Sequence, residues 1–332
     1  MTEDRASEAL MIADQYADHG KFLWSLTYRM TGSAADAEDI VQDTFVRALE
    51  HPPPRADEPL RPWLVKVALN RARDVLRARR RRRYIGPWLP SPVPTDDERF
   101  IMRTSARPDP GVGANPASYE PLAESGQSLE GRYDLVESVS LAFLLALEAL
   151  TPTQRAVLLL RDVFDYTVKE TADALDLSES NVKTTHHRAR TAMAAYDQTR
   201  RQPIGSLQQA TRTALLRFLT CLEQHDVAGV EALLAEDVKT TTDGGGEFRS
   251  ARQIIIGRDK VSRLYLGIAP GAAGAHVELR TINGLPAALV RLDTAPEHVA
   301  RRFILQVELN AEDRIAHVYL VLSSSKLTAI QF

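Results

Sequence analysis

The stretch WLVKVALNRARDVLRARRRRR, residues 63–83, sets an apolar stripe against a dense cationic face. Val65, Leu69 and Leu76 recur at helical spacing and can face a core, while Lys66, Arg71, Arg73, Arg77 and the run from Arg79 to Arg83 project elsewhere. Such a helix suits a polyanion. Standing alone it also fits a solvated basic face or a localisation tag. Trp63 reads either as a core residue or as a stacking platform, and Asn70 either as a base-edge reader or as an amide facing water.

The surrounding chain narrows the choice. With 332 residues and 44% hydrophobic content it is long enough for two or three folded domains. A formal net charge of -3 means that the arginines are concentrated locally rather than spread over a generally basic surface. Cys221 is the single cysteine, so an internal disulfide is excluded. The N-terminus shows no charged leader before an apolar core, and no apolar run reaches the roughly 20 residues a membrane span needs. A cytoplasmic protein with no membrane contact is the expectation.

Upstream, SAADAEDIVQDTFVRAL (residues 33–49) opens with Ser33 and Asp36 in capping-box spacing and carries Ile40, Val41, Phe45 and Leu49 on one face. Its other face is acidic, with Glu38, Asp39, Gln42 and Asp43. The prolines at 52–54 break the helix before the basic one begins. Residues 84–131 are rich in Pro, Gly, Ser and Asp and read as a linker, although Tyr84-Ile85-Gly86-Pro87-Trp88-Leu89-Pro90 is apolar enough to dock on a folded surface.

Helical periodicity returns near Leu135. Thr151-Pro152-Thr153-Gln154 and Thr167-Val168-Lys169-Glu170 are capping boxes and Ser178 can cap a third helix, which predicts helices over 152–163, 168–175 and 179–196. Asp176 and Leu177 give the second and third the tight spacing of a helix-turn-helix. On the third, Val182, Ala189 and Met193 face inward; Asn181, Lys183, Thr184, His187, Arg188 and Arg190 lie on the open side, the division a recognition helix needs. A helical hairpin with a merely soluble face is the plain alternative. His186 and His187 point in different directions and make no metal pair. After Pro203 and Gly205 two helices (207–223, 227–234) precede strand-like runs at 238–242, 276–282, 287–293, 302–309 and 315–322, an α+β arrangement with a curved sheet.

Together these blocks resemble a bacterial alternative sigma factor of the extracytoplasmic-function group, in the subgroup with a C-terminal SnoaL-like domain. DAEDIVQDTFVRAL with PWLVKVALNRARDVLRARRRR resembles sigma region two, and LEALTPTQRAVLLLRDVFDYTVKETADALDLSESNVKTTHHRART resembles region four. YIGPWLPSP, TTTDGGGEFR (240–249) and the spacing of NGLPAALV at Asn283 carry the subgroup assignment. The resemblance implies two all-α DNA-binding domains followed by an α+β SnoaL-like (NTF2-like) domain: residues 1–92 as region two with the start of the linker, 93–132 as flexible linker, 133–202 as region four and 203–332 as a regulatory domain. It implies that Asp39, Gln42 and Asp43 dock on the clamp helices of the polymerase β′ subunit, with β as a further contact. Trp63, Lys66, Asn70, Arg71, Arg73 and Arg77 would capture the unpaired −10 strand, and Asn181, Lys183, Thr184, His187, Arg188 and Arg190 would meet the −35 duplex. Trp88, Leu89 and Pro90 would meet Asp243, Gly244, Gly245 and Gly246 between domains.

Three departures bear on that last contact. Ser91 stands where the family's linker has an acid, Glu247 where its glycine loop ends in lysine, and Ser323-Ser324-Ser325-Lys326-Leu327 where it has Asn-Pro-Asp-Lys-Leu. Asp243, Glu247, His276, Asp293, His317 and Tyr319 are the polar groups an enzyme would draw on, but no spacing fixes a shared cavity, and Asp243 beside three glycines equally suits a hairpin turn. The expectation is a non-enzymatic promoter-specificity subunit of RNA polymerase that needs no metal or cofactor. Fold analogy alone supports a small ligand in the C-terminal domain. A helix-turn-helix regulator with a ligand-binding domain, acting on duplex DNA outside polymerase, is the alternative. It leaves the acidic helix and residues 63–83 unexplained.

Overall fold

The computed structural model describes residues 19–51, 60–81, 84–95, 133–203 and 205–332. Most of the expected linker (96–132), and Arg82 and Arg83 of the basic run, lie outside the described residues.

Helix α1 (residues 19–31) ends at Gly32, whose φ of +68° reverses the chain. Ser33 then caps α2 (Ala34–Glu50) by accepting the Asp36 N–H at 3.2 Å. The basic stretch forms α3 (Leu60–Arg81), burying Val65, Leu69 and Leu76 as the periodicity predicts. A second helical group contains α4 (Leu141–Ala146), α5 (Pro152–Asp162), α6 (Val168–Leu175) and α7 (Glu179–Thr199). Both capping boxes, Thr151/Gln154 and Thr167/Glu170, are closed in both directions. Asp176 takes the left-handed conformation (φ 54°) in the turn between α6 and α7.

The two helical groups share one hydrophobic core. Leu23, Leu26 and Met30 of α1 and Leu64 and Leu69 of α3 join Phe143, Leu158, Val182 and Met193 in a single cluster. A long linker therefore does not keep the groups apart here, because α1 offers an apolar surface to both. Phe22 meets Phe164 edge-on at 5.3 Å. Arg155, on α5, donates to Met30 O at 2.9 Å, and Arg79, on α3, donates to Glu148 at 2.7 Å.

The C-terminal part is α+β. Helices α8 (Gly205–Glu223) and α9 (Val227–Leu233) lead into β1 (Leu234–Asp243), β2 (Ile255–Ile256), α10 (Arg258–Ile268), β3 (His276–Ile282), β4 (Leu285–Arg291), β5 (Arg302–Leu309) and β6 (Ile315–Val321). The sheet order is β2-β1-β6-β5-β4-β3, with β1 and β6 parallel and every other pair antiparallel. The run expected at 287–293 begins two residues earlier because Asn283 and Gly284, both at positive φ, form a two-residue hairpin turn. Helix α10 has no counterpart among the expected elements, because its buried stripe is only Val261, Ser262 and Tyr265.

Side-chain alternation gives the sheet two covered faces. Phe218, Tyr265, Val307 and Val318 fill the face under the helices. The opposite face, bearing Ile304, Tyr319 and Val321, is covered by Leu89 of the linker and Leu141 of the second helical group. The linker also extends the sheet: Pro94 bridges Ile282, and the Thr95 N–H donates to Thr281 O at 3.0 Å.

All these units meet at Asn283. Its Oδ1 accepts the Val93 N–H (3.1 Å), and its Nδ2 donates to Tyr28 OH (2.9 Å) and Val139 O (2.7 Å). Tyr28 in turn donates to Ser91 O at 2.7 Å. Asn283 is 1% exposed, so its partners cannot turn to water instead. Asn283→Ala should therefore lower stability by roughly 2–4 kcal/mol in urea unfolding of the full chain, because three hydrogen bonds disappear, with the Val93 N–H and Val139 O losing this partner in a buried setting while Tyr28 keeps its bond to Ser91 O. A change below about 0.5 kcal/mol would show that the junction holds without this amide.

Candidate nucleic-acid interface

Helix α7 presents Asn181, Lys183, Thr184, His187 and Arg188 to solvent, while Val182, Ala189 and Met193 are buried against α5 and α6. Its N-terminus is fixed by Ser178 Oγ, which accepts the Asn181 N–H at 3.2 Å. Arg190 differs from its neighbours. It is half-buried and lies 3.5 Å from Asp162 and 3.7 Å from Asp197, which ties it to its own domain. His186 is buried with Nε2 2.7 Å from Asp162, a contact between α7 and α5 that helix-face periodicity does not reveal.

The basic face of α3 is compensated from several sides. Lys66 pairs with Asp176 of the α6–α7 turn at 2.5 Å, Arg71 with Asp43 of α2 at 2.9 Å, and Arg77 with Asp74 at 2.9 Å. Arg73 is half-buried with Nε and one amino group lacking a partner among the described residues, and burial lowers its pKa below the usual guanidinium value. Trp63 is half-buried against the shared core, and the half-buried Asn70 side chain makes no hydrogen bond among the described residues. Exposed pairs of this kind contribute about 0–1 kcal/mol each, so a polyanion can displace them. On α2, Asp39 and Gln42 are exposed, and Asp43 is engaged by Arg71 through both Nε (3.0 Å) and Nη2 (2.9 Å).

The linker is held by a buried clamp. Asp243, at the end of β1, accepts the Leu89 N–H at 2.7 Å, the Tyr84 hydroxyl at 2.6 Å and the Gly245 N–H at 3.0 Å. Lys326 donates to both Asp243 and Leu89 O, with its ammonium 4.5 Å from the Trp88 ring and 4.8 Å from the Tyr84 ring. The Arg79 guanidinium lies 4.0 Å from Trp88, so that ring is held between α3 and Lys326. Two glycines make room: a Cβ on Gly32 would come within 2.5 Å of Trp88, and one on Gly246 within 3.0 Å of Ile85. Leu89, Pro90 and Gly244 are buried in the same contact.

Asp243 thus serves the linker as well as the local turn, where Gly245 and Gly246 have positive φ. The departures at Glu247 and Ser323–Ser325 meet one another. Glu247 accepts from the Ser323 hydroxyl (3.0 Å) and from the Ser324 N–H (3.2 Å) and hydroxyl. Lys326 was not among the expected site residues; its position beside the serines in the departed motif was the available signal.

The acid/base candidates do not converge on a shared cavity. Glu247 is bound to these serines, and His276 and Asp293 form an exposed pair at 3.2 Å. His317 stacks on Tyr319 at 4.0 Å on the sheet face covered by the helical groups and bonds Thr241 at 2.7 Å; burial pushes its pKa down to about 4. Tyr319 donates to Glu308 at 2.5 Å.

Comparison with known proteins gives two family matches, Sigma-70 region 2 over residues 15–82 and Sigma-70 region 4 over residues 140–193. The ECF RNA polymerase sigma factor SigJ of Mycobacterium tuberculosis is 33% identical over 271 residues, covering 79% of this chain and 75% of that protein. SigG of the same organism is 32% identical over 307 residues, covering 90% and 77%. The crystal structure of M. tuberculosis SigJ superposes with a TM-score of 0.66 at 26% identity, covering 96% of this chain and 98% of that one.

Burial pushes the Lys326 ammonium down to about 8 from its ordinary value of 10.5, while Asp243 acts in the opposite sense. The folded state therefore binds fewer protons than the unfolded state between these values. This residue's unfavourable contribution is fully present below about pH 8 and disappears above 10.5, so it makes stability rise with pH across that window. Lys326→Met should flatten that rise relative to the parent chain in urea titrations from pH 7.5 to about 10. Parallel curves would remove Lys326 as its source.

Proposed function

Because the chain belongs to the extracytoplasmic-function RNA polymerase sigma factors, we propose that its two basic modules read the two elements of a promoter while α2 docks on core polymerase. The carrying observation is the division of surfaces: an acidic helix beside a basic one, and a separate helix-turn-helix with an open cationic face. On this reading Asp39, Gln42 and Asp43 meet the clamp helices of the β′ subunit, with β as a further contact. Trp63, Lys66, Asn70, Arg71, Arg73 and Arg77 hold the unpaired −10 strand by stacking, edge hydrogen bonds and phosphate contacts. Asn181, Lys183, Thr184 and His187 face the −35 duplex, and Arg188 and Arg190 its phosphates. Arg190 must leave Asp162 and Asp197 to do so. The protein acts without chemistry of its own, in the cytoplasm where its polymerase works.

The arrangement described above is then a closed one, in which the α6–α7 turn lies over Lys66 and Arg73. The Arg73 nitrogens left without a partner among the described residues favour release of this contact when phosphate is offered. The C-terminal domain, through Asp243 and Lys326, sets how firmly the linker holds it. An independent helix-turn-helix regulator would have no use for the Asp39–Gln42 surface.

Run-off transcription with core polymerase tests the reading. Asp39→Arg with Asp43→Arg should abolish core binding in a pull-down while leaving the helical circular dichroism unchanged; full binding would remove α2 as the docking surface. Lys183→Ala with Arg188→Ala should weaken upstream duplex binding and reduce the salt slope by about 0.9 for each phosphate left without its cationic partner. Asn70→Ala should leave the closed complex intact and reduce permanganate reactivity of the opened region. An unchanged footprint would end its strand-capture role.

A further inference from the structure

A second feature of the C-terminal domain lies beside the turn that carries Lys326. At the open end of the sheet, Phe248, Leu322, Leu327, Ile330 and Phe332 line a cleft of about 360 Å³, with Arg301 and Arg302 at its rim. This is at the lower end of the volumes that hold small ligands, about 300–1,000 Å³. The arginines are the unusual part. Arg302 lies directly across from Arg291, which in turn opposes His276, so three basic side chains follow one another across the strands. Like charges placed directly opposite one another weaken a sheet. Asp293 lies 3.2 Å from His276 and 3.8 Å from Arg291. Among the described residues neither Arg301 nor Arg302 has a carboxylate within 4 Å; Arg302 has only the Phe332 ring, at 5.8 Å.

We propose that this cleft is a binding site for a small amphipathic carboxylate, whose apolar body fills the Phe248–Leu322–Leu327–Ile330–Phe332 groove and whose anion is held by Arg301 and Arg302. Guanidinium matches a carboxylate in geometry and charge, and the low exposure of Leu322, Leu327 and Ile330 (8% each) gives the chain a dry wall. The position has a consequence. Ser324 and Leu327 line the cleft and flank Lys326, whose ammonium donates to Leu89 O and Asp243. Occupancy therefore bears on the turn that grips the linker. The site stands apart from the sigma-factor reading, and only this consequence for promoter recognition rests on it.

The test uses the full chain and decanoate as probe, titrated calorimetrically below the concentration at which it forms micelles. Saturable binding of one decanoate per chain is expected, with a change in tryptophan emission because Trp88 lies 4.5 Å from the Lys326 ammonium. R301E/R302E should weaken binding by at least about tenfold, since charge-assisted bonds disappear and repulsion replaces them. Glutamate at 302 would face Arg291, so unfolding is not the expected cause, and R302K should retain most of the affinity. Decanol and decyltrimethylammonium should bind at least about tenfold more weakly than decanoate. Absence of saturable decanoate binding, equal binding of decanol, or indifference to R301E/R302E would each overturn the proposal. So would binding to phosphatidylglycerol vesicles without binding of free decanoate, which would make the patch a membrane contact. Neither polymerase nor DNA enters these measurements, so their failure is distinct from a failure of run-off transcription.

Discussion

Everything in this molecule depends on burying polar groups of α1 without leaving them unpaired. Arg29 is fully buried, with its guanidinium donating to Ser138 Oγ (2.8 Å), Leu135 O (2.9 Å) and Ser25 O (3.0 Å). Burial lowers its pKa to about 9. One residue earlier, Tyr28 links Ser91 and Asn283. These acceptors and donors come from α1 itself, the linker, the second helical group and the C-terminal sheet. None of those pieces alone could satisfy both side chains, and a buried polar group left unsatisfied costs about 1–3 kcal/mol, more if charged. The apolar part of the same core would tolerate several arrangements of hydrophobic helices; directional hydrogen bonds select one.

The energies then form a hierarchy. At the junction, bonds are dry and mutually dependent. On the α3 face the pairs are wet: Lys66 and Asp176 are 39% and 65% exposed in their side chains, Arg71 and Asp43 45% and 48%. Such pairs hold a face in register but give way to a dense polyanion, which releases counterions when it binds. The basic face of α3 is therefore held by contacts weak enough to exchange, while the domains are organised by contacts that are not. The same Asp43–Arg71 pair ties α2 to α3, so engagement of either helix by a charged partner alters the charge environment of the other.

Local signals in the sequence carried the helical part well. Capping boxes at Thr151 and Thr167 are short-range devices, and their geometry is set by three or four residues whatever the rest of the chain does. The helices of the two blocks were legible for the same reason, since each helix face is written in its own periodicity, while their assignment to sigma regions rested on the resemblance of their motifs. Long-range features were not. Asn283 is the first residue of a hairpin turn; nothing local says that its amide also closes on Tyr28 and Val139, 255 and 144 residues away. The side-chain pairs that neutralise Lys66 and Arg71 were equally invisible, because they depend on which helices meet. Helix α10 escaped because its buried face spans barely one turn and a half.

The clamp shows why some departures from a family pattern are tolerated. Asp243 and Lys326 are almost wholly buried (0% and 7% exposed), and breaking a buried pair by removing one partner typically costs about 3–5 kcal/mol. Both residues stand where the resemblance puts an acid and a lysine. A short distance away the reversal of charge at Glu247 would strand a carboxylate next to an acidic residue in the usual Asn-Pro-Asp setting. Here the partners are Ser323 and Ser324, whose hydroxyls and amide donate to it and lower its pKa. Departures that look unrelated in sequence thus meet in one contact, hydrogen bonds from Ser323 and Ser324 to the Glu247 carboxylate. This contact stands beside the buried Asp243–Lys326 grip on Leu89 and leaves it intact.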